Sequence, residues 1–428
     1  MKKFTCDVLV IGGGVTGVTA AVAAARNGAD TLLVERYGTL GGLATMGMVS
    51  PMYGFWSGDT QVVKGIAEEV INELRKYHGG TLGYQLLVDN CPGENKCTDD
   101  YKCPASGVKR VAVVDTEILK LVLPKMLEEA GVRVMLYTQV VNTSVKTRRV
   151  VSVAIESYGR AIITPRVVID ATGDGLIAGK LSPEKTGIIK QIQKPPTLMF
   201  RIGNVKIKKN RVFYKGGDGI GRLLLLRWPN SGEYIVNSPS GINKFDGTDA
   251  ASLTHAQITA AKLVAPRVEY LRKNVPGCED IKLLGVAAQI GIRDCLRVKG
   301  DYTLTLDDVI SDRKFKDGIA AGCHPVDLHM PSDKLGGKNI IRRRCGGFYH
   351  IPYRSLVPSK TDNLLMAGRC ISATFEAQGS TRVQATCMAT GQAAGTAAAL
   401  CIKDKYCDLR KVNMTELRNK LLKQNVVL

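Results

Sequence analysis

Aromatic residues are scarce in this 428-residue chain, where Phe, Trp and Tyr together make 6%. A surface that stacks nucleobases needs such rings, so the scarcity argues against single-stranded nucleic acid as a partner. No apolar run approaches the ~18 residues that cross a bilayer, which argues against a membrane span. Lys2, Lys3, an apolar run and small residues at 21 to 25 imitate a secretion signal. Glycines 12 to 14 interrupt that run, and cleavage near Ala25 would discard them, so a cytoplasmic protein is expected. Internal repeats and low-complexity tracts are absent too.

Cysteine is not scarce, but the twelve present lack the C-x2-C spacing of common zinc and iron-sulfur sites. Reduced core thiols are the expectation. Cys91, Cys97 and Cys103 differ by lying in a turn-rich segment with Pro92, Gly93 and Pro104. They remain the candidates for a metal cluster or a redox pair, although no metal is expected. The net charge of +20 raises nucleic acid, anionic lipid or an acidic substrate as partners. It is scattered, with its densest runs at Lys206 to Arg211 and Arg342 to Arg344, so a solvated basic face is favoured and nucleic acid is not expected.

The most informative stretch is Val8-Leu9-Val10-Ile11-Gly12-Gly13-Gly14-Val15-Thr16-Gly17. Val8 to Ile11 read as a buried strand, and Gly12, Gly14 and Gly17 supply G-x-G-x-x-G where the chain must turn tightly and admit a pyrophosphate against bare backbone. A helix with Ala20, Ala21, Ala23, Ala24 and Ala25 follows and can lie close on a sheet. Thr31 to Val34 make the next strand. Glu35 then falls where an acid accepts hydrogen bonds from a ribose, and its charge favours FAD or NAD over a 2′-phosphorylated dinucleotide.

Further along, 62 to 77 and a segment opened by Asp115 read as helices, the second carrying Pro124. Val132 to Tyr137 continue a parallel sheet; Val140 to Val145, Arg149 to Ser157 and Ala161 to Ile163 form an antiparallel meander. Val167 to Asp170 are a separate buried strand ending in the turn Thr172-Gly173-Asp174-Gly175. Residues 181 to 345 lack βα rhythm and read as a substrate domain. The fold class is therefore α/β, a Rossmann-like dinucleotide domain with a central parallel sheet and an inserted, mostly β or α+β domain. Its parts are expected at 1–78, 106–180 and 346–428, around a cysteine-containing insertion at 79–105 and the substrate domain at 181–345. Small residues at 385 to 398 predict a closely packed helix, and Leu409 to Leu422 an amphipathic one.

Three landmarks in order carry a family resemblance: the glycine loop with Glu35-Arg36 and Gly41-Gly42; Asp170 to Gly175; and Asn363 to Arg369 running into Gly379-Ser380-Thr381-Arg382. Together they resemble the FAD-dependent oxidoreductases with a glutathione-reductase-type flavin domain, related to the fumarate reductase flavoproteins. The resemblance implies that Gly12, Gly14 and Gly17 bind the pyrophosphate, Glu35 the adenosine ribose and Arg36 its edge. Gly41, Gly42, Leu43 and Thr45 would approach the pyrophosphate and isoalloxazine, Val140 the adenine, and Gly173 and Asp174 the ribityl chain. Gly368, Arg369, Gly379, Ser380 and Val383 would close over the flavin. A helix starting near Arg382 would aim its positive end at the flavin N1 and C2 carbonyl. No Ser-Val-His-Arg tether is visible, so the FAD is expected to be non-covalent.

For catalysis the candidates are His350, Tyr353 and Arg382, with His350 leading because a neutral imidazole there could move a proton. Arg354 is a candidate anion anchor or an interdomain salt bridge. His324, Asp327 and His329 invite a weak metal reading. The function expected is an FAD-dependent oxidoreductase acting on a small organic substrate, with an unidentified electron donor or acceptor and a homo-oligomer possible. The alternatives are a tRNA-modifying FAD protein and a flavin electron carrier using the cysteine segment.

Overall fold

A computed structural model describes residues 1–77, 84–90, 108–181, 194–217, 219–242, 244–294, 296–329, 338–341, 343, 346–403 and 407–428. Cys91, Cys97 and Cys103 lie outside the described residues.

Strand Lys2–Ile11 stands at the centre of a seven-stranded sheet. It runs parallel to Thr31–Val34 on one side and to Arg160–Asp170 on the other. Arg133–Met135 extends the parallel part, and Arg149–Glu156 with Gln139–Lys146 form an antiparallel wing. Val8 to Val10 are fully buried because the sheet is covered on both faces, which is why this strand reads as a continuous apolar run.

One face carries helix Val15–Arg26, and helix Gln384–Cys401 packs on it almost backbone to backbone. A β-carbon at Gly391 would come within 2.3 Å of the Thr16 carbonyl oxygen, and one at Gly395 within 2.0 Å of that of Ala20. The small residues of both helices exist for this contact. Helix Thr116–Glu129 runs through Pro124 and starts at Asp115, whose carboxylate accepts from the amides of Glu117 and Ile118.

The expected division of Ala161 to Ile163 from Val167 to Asp170 is corrected: Arg160–Asp170 is a single strand. Pro165 is tolerated because the outer partner of this strand changes there. Arg149–Glu156 pairs as far as Ile163, and Leu364–Met366 takes over from Val168. Asn363 closes the gap, its side chain accepting from the Val150 amide at 2.8 Å and donating to the Val150 and Arg166 carbonyls at 2.9 Å.

The second domain is an antiparallel sheet in the order Arg211–Lys215, Arg222–Arg227, Tyr234–Asn237, Phe200–Gly203, Lys282–Val286. Helices Ala250–Lys262 and Val264–Asn274 flank it, around a core from Leu198 to Ile290. Leu304, Phe315, Ile319 and Val326 instead join the first core, and Gly318–Gly322 pairs with Tyr349–Pro352 of the returning chain. Composition alone gave no sign that the second core ends this far before residue 345.

Candidate functional site

A cavity of about 690 Å³ extends from the glycine loop to the second domain. At one end Gly14 precedes helix Val15–Arg26 with no side-chain cap, so the first amides and the positive end of the helix are left for a ligand. Gly12 holds φ +99°, and a β-carbon on Gly17 would sit 1.8 Å from the Gly12 carbonyl oxygen. The Gly41 amide donates to the Gly13 carbonyl at 2.8 Å, bringing the second glycine loop alongside the first. Glu35 lines the cavity, and its carboxylate accepts from the Gly13 amide at 2.6 Å and the Tyr37 amide at 2.9 Å. Those two bonds fix it and leave one further acceptor position on each oxygen.

Asp170 supports the next loop from beneath. Fully buried, it accepts from the Thr172 amide and hydroxyl and from the amides of Ile177 and Ala178. Desolvation raises its carboxyl pKa, and these four bonds oppose the rise. Arg369 then fastens Gly173 and Asp174 to the second domain. Its Nε donates to the Gly173 carbonyl at 2.7 Å, its guanidinium pairs with Asp174 at 2.5 Å, and it also reaches the Ile292 carbonyl.

A second helix end opens into the same cavity. Helix Gln384–Cys401 begins after Val383 without a side-chain cap, and Val383, Gln384 and Cys387 all line the space. The second domain contributes Met199, Leu224, Leu226, Leu253 and Ile258 with Asn237, Gln257 and Gln289. The remaining wall is charged. On strand Val326–His329, Asp327 lies 2.9 Å from His329 Nε2 and 3.1 Å from Arg382. Desolvation and then Arg293 press the His329 pKa down to about 3, so the ring is neutral. Desolvation, reinforced by Arg382, lowers Arg293 to about 9.

Of the residues singled out in the sequence, Gly12, Gly14, Glu35, Arg36, Gly41, Gly42, Leu43, Val140, Gly173, Asp174, Arg369, Arg382 and Val383 line this one cavity. Gly17, Thr45, Gly368, Gly379 and Ser380 stand behind the lining. The Thr45 hydroxyl donates to the Leu40 carbonyl at 2.6 Å, and Ser380 shares a hydrogen bond of 2.8 Å with Tyr349. A β-carbon at Gly368 would meet Thr16 Oγ1 at 2.6 Å and one at Gly379 the Asp327 backbone at 3.1 Å, so both serve close packing.

His350 and Tyr353 are brought elsewhere, into the first core. His350 Nδ1 accepts from the Phe315 amide at 3.2 Å, and burial lowers its pKa to about 4. The Tyr353 hydroxyl donates to the Leu409 carbonyl at 2.9 Å. Neither lines the cavity: His350, on strand Tyr349–Pro352, and Tyr353, in the turn Tyr353–Ser355 that follows, both turn their polar groups toward neighbouring backbone. Arg354 is likewise outside the lining and pairs with Asp317 at 2.9 Å. Among the described residues no group of three or more His, Cys, Asp or Glu could hold a metal. Asp170 as a loop support, and Arg293 and Gln384 in the lining, carry no local sequence signal. The run His324-Pro-Val-Asp327-Leu-His329 carries one only as a weak metal pattern, although both histidines and the aspartate line the cavity.

The family model described as FAD dependent oxidoreductase matches residues 7–421. A thiamine thiazole synthase of Methanococcus maripaludis is 26% identical over 184 residues, which span 40% of this chain and 58% of that protein. A solved geranylgeranyl bacteriochlorophyll reductase-like protein of Thermoplasma acidophilum superposes with a TM-score of 0.55 at 16% identity, covering 99% of this chain and 85% of its own. The flavin-dependent brominase Bmp2 gives 0.50 at 10% identity, with 98% and 84% covered. At such identities these two structures show a shared fold and nothing finer. No described helix is long and apolar enough to cross a membrane.

Proposed function

The chain belongs to the FAD-dependent oxidoreductase family, and from that premise we propose that it oxidises or reduces a small organic molecule held between its two domains, against a non-covalently bound FAD. The single observation that carries this reading is the shared cavity, into which two uncapped helix ends open, at Gly14 and at Val383. An elongated dinucleotide needs both, one positive end for the diphosphate and one for the ring system. The glycine loops admit the diphosphate against backbone, and Glu35 accepts from the ribose hydroxyls. Bound FAD supplies hydride or electron transfer. The protein orients the ring with the helix end at Val383 and closes the second domain over it through Arg369. Leu224, Leu226, Gln257 and Gln289 give the substrate a mixed apolar and polar seat, of the kind small-molecule sites use. A cytoplasmic setting is part of the proposal, supported by the seven described cysteines, all of them buried thiols.

The test is reconstitution of the full chain with FAD, followed by gel filtration and anaerobic reduction. Retained flavin absorbance that bleaches with a chemical reductant and returns with an oxidant supports the proposal. A chain that lets FAD pass away at micromolar concentrations sinks it.

A further inference from the structure

The wall formed by Asp327, His329 and Arg382 has no part in the dinucleotide site as described above, yet its three side chains line the same cavity. Their order is chemically specific. Arg382 pairs with the Asp327 carboxylate at 3.1 Å, and the same carboxylate oxygen lies 2.9 Å from His329 Nε2. A carboxylate held ionised by a guanidinium can only accept, so Nε2 carries the hydrogen and Nδ1 carries the lone pair. Arg382 keeps one further donor, because its buried Nε–H meets no acceptor among the described residues. An acceptor and a donor joined through one carboxylate are thus left for whatever enters.

We propose that His329 Nδ1 and Arg382 Nε–H form the recognition point for a hydroxyl group on the substrate, with Asp327 as the positioning residue that sets the imidazole tautomer. A hydroxyl fits because it donates to Nδ1 and accepts from Nε–H at once. A carboxylate or a carbonyl has nothing to give Nδ1 and meets its lone pair instead, which selects against it. The surrounding charges agree. Desolvation first, and then Arg293 and Arg382 on the adjoining segments, outweigh Asp327 and disfavour an imidazolium, so the ring remains a neutral acceptor across the working pH range. The inference rests on the preceding reading only in taking the occupant of the second half of the cavity to be the substrate.

The test is acylation of the FAD-loaded protein by diethyl pyrocarbonate, which attacks an unprotonated imidazole nitrogen, with sites mapped by peptide mass spectrometry. His329 reacts, while His350, whose Nδ1 is taken by the Phe315 amide, does not. Between pH 7.5 and 5.5 a free imidazole standard loses about tenfold in reactivity as it protonates, whereas His329 stays within about twofold. The variant Asp327→Leu removes the acceptor that holds the hydrogen on Nε2, whereas Asp327→Asn keeps one, because its amide oxygen must face the Arg382 donor at the position that Nε2 shares. Nitrogen-15 histidine spectra show the parent tautomer in Asp327→Asn and a mixture of both tautomers in Asp327→Leu. An FAD-bearing protein whose exposed His255 is acylated while His329 stays unmodified overturns the inference, as does an Asp327→Leu variant whose His329 nitrogen-15 spectrum is that of the parent. A protein that carries no FAD overturns the preceding reading instead, and flavin absorbance of the sample separates the two failures.

Discussion

Replacing Gly17 and Gly14 by alanine in turn separates the two duties of the glycine loop. At Gly17 the added methyl would lie 1.8 Å from the Gly12 carbonyl oxygen and 3.0 Å from its carbon, both backbone atoms. Ordinary contacts lie near 3.5 Å, so loop and helix must part by more than about 1.5 Å. Overpacking of this kind costs about 1–3 kcal/mol of stability. A loop displaced that far also loses alignment with a bound diphosphate. If two charge-assisted hydrogen bonds worth about 1.5–3 kcal/mol each go, the dissociation constant for FAD rises by roughly 10²–10⁴. At Gly14 the case is different. Its φ of −64° suits any residue, and a methyl there has Gly42 Cα as its nearest neighbour at 4.0 Å.

Gly14→Ala should therefore leave the FAD-free protein as stable as the parent and still lose FAD, because the methyl occupies the space the diphosphate needs. Thermal unfolding with and without FAD, beside a fluorescence titration, reads both quantities. FAD raises the unfolding temperature of the parent through binding linkage, and neither variant keeps that shift. Gly159→Ala, with nothing within 4 Å, is the neutral control. Two alanine variants that bind FAD within about threefold of the parent would refute the argument that bare backbone receives the ligand.

The helix pair makes a purely structural prediction. Gly395→Ala drives a methyl to within 2.0 Å of the Ala20 carbonyl oxygen, and the urea midpoint should drop by the equivalent of about 1–3 kcal/mol. Asp170→Ala leaves three amides and one hydroxyl without their acceptor. A loss of about 3 kcal/mol or more is expected, with weaker FAD retention as the Gly173 loop loosens; an unchanged urea curve would dismiss the support role. His350 predicts a pH effect. Its folded pKa, near 4, lies below the ordinary value of 6.5, so as pH falls from about 6.5 toward 4 the unfolded chain takes the proton first and stability declines. His350→Asn keeps an acceptor for the Phe315 amide and should flatten that part of the urea stability profile between pH 7 and 4.5, whereas an unchanged slope would show that His350 carries none of it.

How much of this was legible beforehand differs by the range of the interaction. The first βαβ unit could be read from residues 8 to 35 because every constraint there is local: glycines at a turn, small residues on a helix, an acid at a strand end. Asp115 as a helix cap is of the same kind. The duties of Asn363, Arg369 and Gly395 were not local, since each contacts a segment more than 190 residues away. His350 shows the converse. Its position beside a segment that resembles a flavin neighbour was visible, but which side of a two-stranded ladder its ring takes is decided by pairing with Gly318–Gly322.

The sequence by itself determined the strand, glycine turn and helix start at Gly12, Gly14 and Gly17 that the proposal assigns to a diphosphate, because those constraints are local to residue type and spacing. Only the tertiary structure decided what faces that turn from across the cavity. Asp327, His329 and Arg382 come together through a hairpin and a distant helix end, and no pattern within either segment encodes their 2.9 and 3.1 Å contacts. Packing of segments remote in the chain, through sheet pairing and the close approach of two alanine-rich helices, converted a dinucleotide loop into a site with an opposing wall.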